Sequence, residues 1–464
     1  MTTLAAALLS ALFFYLSQGL NDAWPLAWLA PAPILWLAYG KAPLWQIMAA
    51  TIFAFLCGQI YVLQCYAALP PMLILTVLGP MVVLFVAAIV FAWWVRRQTT
   101  APWLTWLAFP LAWTAAEYLF ETVSPNGTYG AFAYSQVSAP LLIQSASLLG
   151  MAAVTFLICL VANTLALAGH KDLRNPAVLT AGVAIAVANA AFGWARLAAP
   201  AHETLTVAAL DDESLAGLAF ADGPAAAPIT VAQTYAAAAR DAAAKGARLI
   251  VTPEGGIAAT AANRTTVLAS LASVAHDTGA EIVVGLYDPA RPGDLAVVLR
   301  ADGSQGQYDK RHLVPFLETA FTPGRASGWI GDGRAMEICK DMDFPATIRG
   351  DAARGVRLAA VPAGDFGADA WLHGRMAILR GVENGFAMVR AAHHGLLTVN
   401  DAEGRLIARR TVSPSGMSEL VATVPLGSGP TPYTRIGDLF AWLAVAATLA
   451  VGWLALQRKT AKAE

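Results

Sequence analysis

Three residues at the ends of apolar, strand-like runs have the types needed to activate a nucleophile and serve it through an acyl transfer. Cys339 lies in ICKDMDFP at 338–345, Lys310 in YDKRHLVPFLE and Glu254 in TPEGG. Cysteine attacks an acyl carbon as its thiolate, and a free thiol has a pKa of about 8.5, so it needs a base or a cation beside it at neutral pH. Glu254, next to apolar Ile250 and Val251, is the candidate base. Lys310 is the candidate partner for the oxyanion of a tetrahedral intermediate. Each residue alone has a plainer reading, as a solvated acid, a surface lysine or a core thiol. Their common place just past a strand favours thiol chemistry.

The elements that must hold these residues are legible around them. LTVAAL, RLIVTPE, EIVVGLYD, LAVVLR, AMEICK and RLAAVPAG read as short apolar strands. Residues 229–245 and 264–278 carry apolar side chains at three- and four-residue spacing and read as helices. Asp302-Gly303 sits between LAVVLR and QGQYDK, a hairpin turn signal. Strands alternating with helices, with some hairpins, predict a layered α/β sandwich. No dinucleotide fingerprint, phosphate-binding loop or zinc-ligand spacing is present, and no metal or cofactor is expected.

The surroundings of this domain are apolar. The chain has 464 residues, 57% hydrophobic and 13% charged, with a mean hydropathy of +0.55. Ordinary soluble domains carry about 25% charge, so the composition is that of an integral membrane protein. A net charge of −1 gives no sign of nucleic-acid binding. Within 201–435 lie 21 basic and 25 acidic residues, most of the chain's charge. The expected organisation is a seven-helix membrane domain at 1–199, an α/β domain at 200–436, and a last membrane helix with a basic tail at 437–464. Crossing a bilayer takes about 20 apolar residues. Eight spans are read, at 4–20, 23–39, 44–65, 70–95, 102–120, 140–168, 177–198 and 437–456. The first is not preceded by a basic residue and does not read as a signal peptide. Lys41, Arg96, Arg97, Lys171, Arg174, Arg458, Lys459 and Lys462 fall on alternate loops and the tail, so both termini are expected in the cytoplasm and the α/β domain on the opposite face. Cytosolic acyl donors would not reach it. Of the four cysteines, Cys57, Cys65 and Cys159 lie in apolar spans, and only Cys339 is in the charged segment. Glu117 lies inside a span, where an ionisable group faces a partner or a wet cavity more often than lipid.

The three motifs together resemble the nitrilase, or carbon–nitrogen hydrolase, superfamily. HLVPF directly after the lysine narrows the resemblance to the bacterial apolipoprotein N-acyltransferases, as do Tyr134-Ser135-Gln136 with Pro140 and TPYTRIGD at 431–438. The resemblance covers nearly the whole chain. It implies a polytopic α-helical membrane protein of about eight spans carrying a nitrilase-like α-β-β-α sandwich in the periplasm of a bacterial inner membrane. It also implies a two-step transfer by a monomer. Cys339 takes an acyl chain from a membrane phospholipid as a thioester, and the α-amino group of a diacylglyceryl-cysteine at a lipoprotein N-terminus then receives it. Glu254 would move the protons and Lys310 would stabilise both oxyanions. Glu318 and Glu383 match supporting glutamates of the family.

Several positions depart from the family pattern. Lys340-Asp341 follows the cysteine where Tyr-Glu is usual, with Asp341 a shorter substitute for the glutamate and Lys340 a candidate for tuning the thiol or holding a head group. Thr252-Pro253 replaces Trp-Pro, and Gly364-Asp365-Phe366-Gly367 is a reduced version of a longer aromatic run. Asp211-Asp212-Glu213 stands where a Gln-Gly-Asn turn is usual. Trp371 and His373 are candidates for lining the acyl entrance, alongside Glu117. These differences bear on the acceptor. A related transferase with another amine acceptor, an anchored amidase or nitrilase-type hydrolase, and an inactive lipoprotein-binding scaffold remain the competing readings.

Overall fold

Between Ala199 and Arg435 the apolar runs form two β-sheets packed face to face. The computed structural model describes residues 1–67, 69, 71–200, 203–218 and 227–460. In chain order the strands are β1 (Thr204–Asp211), β2 (Leu249–Val251), β3 (Ile257–Ala258), β4 (Glu281–Tyr287), β5 (Asp294–Leu299) and β6 (Gln305–Asp309). They continue with β7 (Trp329–Gly331), β8 (Arg334–Met336), β9 (Leu358–Gly364), β10 (Ala387–His393), β11 (Leu396–Asn400), β12 (Leu406–Thr411) and β13 (Ser418–Pro425). The first sheet runs β13-β1-β2-β4-β5-β6, with β3 beside β4, and the second runs β12-β11-β10-β9-β8-β7. In each, a parallel centre (β1-β2-β4 and β8-β9-β10) is flanked by antiparallel strands.

Strand side chains alternate between two apolar layers, which is why these strands read as unbroken apolar runs. Val207, Ala209, Leu249, Val251 and Val283 face Met336, Leu358, Ala360 and Val389 across the inter-sheet core. Ala208, Leu210, Ile250, Ile282 and Val284 point the other way, onto helices Ala227–Ala244 and Ala269–Thr278. Helix Ala370–Asn384 packs on β10 and β11, completing the α-β-β-α order. The expected helix at 264–278 is divided at Leu268 into Arg264–Val267 and Ala269–Thr278.

The other unit, Met1–Ala198 with Ile436–Glu464, is helical. Among the described residues, five of its helices are long and apolar enough to cross a membrane: Leu44–Tyr66, Ile74–Gln98, Met151–Gly169, Pro176–Leu197 and Leu439–Gln457. Pro102–Val123 is also 22 residues long, and Thr3–Ser17 has 15. The span read at 23–39 is not one continuous helix. It is a 3-10 turn, Trp24–Trp28, followed by an eight-residue helix, Ala32–Tyr39. Pro25, Pro31 and Pro33 remove backbone donors there, so a continuous helix cannot form. The span read at 140–168 likewise begins as short turns, and its regular helix starts only after Gly150, which has φ +77°. Lys462, part of the expected basic tail, lies outside the described residues.

Candidate active site

Each of the three reactive residues sits just beyond a strand of the sandwich. Glu254 follows β2 by three residues, Lys310 follows β6 directly, and Cys339 follows β8 by three residues. The inter-sheet core clamps the strand ends beneath them through Val251, Tyr308, Met336 and Ile338. The TPEGG turn lies so close to β4 that a Cβ on Gly285 would sit 2.0 Å from the Pro253 carbonyl oxygen. Glycine at 285 is therefore what allows Glu254 to hold its place.

Lys310 is 1% exposed, and its Nζ lies 2.6 Å from Glu254 Oε1 and 2.6 Å from Glu318 Oε1. Glu318 Oε2 in turn accepts from the Val314 backbone N–H at 2.7 Å, which closes the HLVPFLE loop on its own lysine. A third carboxylate, Asp294, lies 3.9 Å from the same ammonium. Burial alone would lower the lysine pKa. The Glu254 and Glu318 carboxylates, each 2.6 Å away, outweigh burial and hold Lys310 charged, well above its ordinary range.

Asp294 and Glu318 are also pushed up, which for a carboxylate means towards the neutral form. Burial, and then the charge of Glu254, push Asp294 up to about 9, so it is a neutral acid at pH 7. Burial also raises Glu318, against the pull of Lys310. A group whose folded pKa exceeds its unfolded value of 3.8 keeps a proton that the unfolded chain has released. Its stabilising contribution is complete below pH 3.8 and declines as pH rises towards 9. Asp294→Asn is neutral throughout and removes that slope. The expected result is a wild-type melting temperature that falls relative to the variant from pH 5 to pH 9, measured by scanning fluorimetry; parallel curves would contradict it.

Cys339 opens a 3-10 turn, Cys339–Asp343, with φ +43°. A non-glycine residue in the left-handed region costs of order 1 kcal/mol or more, and such strain concentrates at functional positions. Its Sγ donates to the Gly364 carbonyl oxygen at 3.4 Å. Burial and the Glu254 charge raise the thiol well above its usual range, while Lys310 and Arg390 oppose them. The resting group is therefore a thiol, and its proton must leave when it attacks.

Asp341 ties the thiol turn to the lysine loop. It accepts from the Ile338 N–H at 3.3 Å, from the Arg311 and His312 N–H groups at 3.1 and 2.8 Å, and from Tyr308 Oη at 2.7 Å. Burial pushes its carboxyl up to about 6 despite these donors. Lys340, by contrast, turns to Asp343 at 3.1 Å and is buried.

The remaining sequence candidates are spread more widely. Glu383 is fully buried and pairs with Arg380 at 2.7 Å, the i,i+3 arrangement on helix Ala370–Asn384, while Lys310 makes its ion pairs with Glu254, Glu318 and Asp294. His373 Nε2 lies 3.0 Å from Asp369, and the Trp371 ring has Arg409 5.6 Å from its centroid. Glu117 belongs to the helical unit. Its two oxygens accept from the Phe132 N–H at 2.8 Å and from Thr155 Oγ1 at 2.6 Å, latching the Phe132–Gln136 turn to helix Met151–Gly169.

Two residues near the chemistry escaped the sequence reading. Asp294 was legible from the hairpin: the Asp302-Gly303 turn sets β5 against β6 with Leu295 opposite Asp309, which brings Asp294 to Lys310. Arg390 is buried in an ion pair with Asp365, and its charge lowers the thiol pKa. Its position in the middle of a fully buried strand gave no local signal.

A sandwich of this topology with a thiol, an ammonium and carboxylates at its strand ends can form and break acyl-thioesters. The Carbon-nitrogen hydrolase family profile matches residues 222–423, which defines the class of this domain. The profile of the Apolipoprotein N-acyltransferase N-terminal domain matches residues 10–164 in the helical unit. An apolipoprotein N-acyltransferase of Geobacter metallireducens is 28% identical over 98% of this chain and 95% of its own length. One from Chromobacterium violaceum is 26% identical over 78% of this chain and 76% of its own. Among solved structures, an amidase from Nesterenkonia sp. is similar at 23% identity and TM-score 0.41, covering 55% of this chain and 97% of that one. Both profiles and near-complete relatives agree, and the chain is similar to the apolipoprotein N-acyltransferases over nearly its whole length.

Proposed function

We propose that this chain transfers a fatty acyl group from a membrane phospholipid, through a thioester on Cys339, to the α-amino group of a diacylglyceryl-cysteine at a lipoprotein N-terminus. The observation that carries the site assignment is Lys310 Nζ held 2.6 Å from both Glu254 and Glu318 at the strand ends that also bear Cys339. In the first step the Cys339 sulfur attacks the ester carbonyl carbon and Glu254 takes the thiol proton. Lys310 donates to the developing oxyanion. The glyceryl oxygen leaves with the proton from Glu254, giving a lysophospholipid. In the second step the lipoprotein amine attacks the thioester carbon, and Glu254 relays the amine proton to the departing sulfur. The products are an amide and the original thiol. No metal or soluble cofactor enters this scheme.

Glu318 anchors the ammonium so that it cannot follow Glu254 alone, and Asp341 fixes the Cys339 turn against the Lys310 loop. Trp371, His373 and Glu117 are left as candidate contacts for the lipid chains. Thr3–Ser17, the interrupted segment at 24–39 and Pro102–Val123 would join the five long apolar helices in about eight crossings. Both ends would be cytoplasmic and the sandwich periplasmic in a bacterial inner membrane, with the protein acting as a monomer. This arrangement is supported by the alternation of Lys and Arg among the loops.

The test is reconstitution in liposomes whose phospholipid carries a labelled acyl chain, with a diacylated lipopeptide as acceptor. Label is expected on the peptide amine, with lysophospholipid formed in equal amount. Label recovered only as free fatty acid would instead assign the site to a hydrolase.

A further inference from the structure

A second constellation lies at the same end of the sandwich and takes no part in the scheme above. Asp211 ends β1, Glu213 opens the following 3-10 turn, His393 ends β10, and His394 starts the turn into β11. Ligand-type atoms of Asp211, Glu213 and His393 all lie within 4.8 Å of one another. His393 Nδ1 meets Asp211, and His394 Nδ1 meets Glu213. The His394 backbone N–H also donates to Glu213 Oε2 at 2.9 Å.

Burial makes this cluster unusual. Asp211 is 0% and His393 6% exposed, yet beyond their contact with each other Asp211 Oδ2 and His393 Nε2 have no hydrogen-bond partner among the described residues. Buried polar atoms normally have such partners, and leaving them without costs about 1–3 kcal/mol each. Among the described residues, the ion pairs of Asp211 and Glu213 are with these histidines and not with lysine or arginine. The neighbouring acid Asp212 is turned away, accepting from Ser214. His394 is held at φ +52°, a strained conformation that brings its ring to Glu213.

We infer that Asp211, Glu213, His393 and His394 form a transition-metal site, of a kind that suits zinc, clamping the end of β1 in one sheet to the end of β10 in the other. Two imidazoles and two carboxylates are a zinc donor set, and the imidazoles disfavour calcium or magnesium, which take oxygen ligands. Tetrahedral bonds of about 2.1 Å put ligand atoms about 3.4 Å apart. The ligand atoms of Asp211, Glu213 and His393 lie within 4.8 Å of one another, and His394 joins them through its contact with Glu213. The other carboxylate group with suitable spacing, Glu254, Asp294 and Glu318, is excluded because the Lys310 ammonium already fills its centre. His393 is paired in register with Gly364, whose carbonyl accepts from Cys339. The metal would therefore brace the strand that receives the thiol. It is a structural ion with no place in the acyl transfer.

The experiment uses the full chain in detergent, free of any affinity tag, stripped with chelator, equilibrated with zinc alone and desalted. Bound metal is counted by mass spectrometry and its ligands are read by X-ray absorption. Wild type is expected to hold about one zinc per chain with a mixed imidazole and carboxylate shell. His394→Ala, at an exposed turn, and Asp211→Asn are each expected to weaken binding by at least about tenfold. Zinc should also raise the melting temperature of wild type and not of the variants. Substoichiometric zinc in wild type, or wild-type affinity in His394→Ala, would overturn the assignment.

Discussion

Lys310→Met is expected to lose turnover by at least about a hundredfold and to destabilise the protein by about 3–5 kcal/mol. The two effects have one source. The ammonium is the cation shared by Glu254, Glu318 and Asp294, and it is also the donor aimed at the oxyanion. Removing it leaves buried carboxylates facing each other without a counter-charge. They can relieve that repulsion only by taking up protons, so the loss of stability should grow as pH rises. For a domain of this size, about 3–5 kcal/mol corresponds to a melting temperature roughly 10 °C lower. Melting curves at pH 5, 7 and 9, with acyl-transfer rates from phospholipid to a diacylated lipopeptide, test both parts. A variant within tenfold of wild-type activity would remove Lys310 from the mechanism, and a pH-independent loss of stability would contradict the charge argument.

Cys339→Ala should abolish transfer with the fold retained. Removing the nucleophile of a covalent mechanism lowers turnover by about 10⁴-fold or more. The alanine loses only the sulfur and its weak contact to the Gly364 carbonyl, a change expected to cost about 1 kcal/mol. Backbone geometry supplies a second comparison. Because residue 339 has φ +43°, Cys339→Gly should be more stable than Cys339→Ala by about 1 kcal/mol although equally inactive. Chemical denaturation of both proteins measures the difference. Equal stability would mean that the turn is not strained, and residual transfer by either would mean that the thioester is not obligatory.

Much of this was legible in the residues. β1, β2, β4, β5 and β9 were marked by unbroken apolar runs because both faces of each strand are buried. Glu254, Lys310 and Cys339 could be placed at strand ends because TPEGG, YDKRHLVPFLE and ICKDMDFP each break such a run with polar residues. β10 to β13 were not read. AMVRAAH and LIARRT mix alanine with arginine, and Arg390 is buried only because Asp365 meets it from β9's end. Helical length was overread at 23–39, where apolar composition concealed three prolines. Glu383 stands at helix spacing from Arg380, and the buried pair this spacing allows is present in the structure. The Asp211 and His393 cluster had no sequence signal, since its members come from strands far apart in the chain and meet only across the sandwich.

The central claim, an acyl-thioester on Cys339, is tested most directly by intact-protein mass spectrometry of the wild type and Cys339→Ala after incubation with phospholipid and no acceptor. A hydroxylamine-labile adduct of fatty-acyl mass is predicted on the wild type, lost when a diacylated lipopeptide is added and missing from the variant. Transfer that proceeds without such an adduct, or an adduct that persists in Cys339→Ala, would contradict the account.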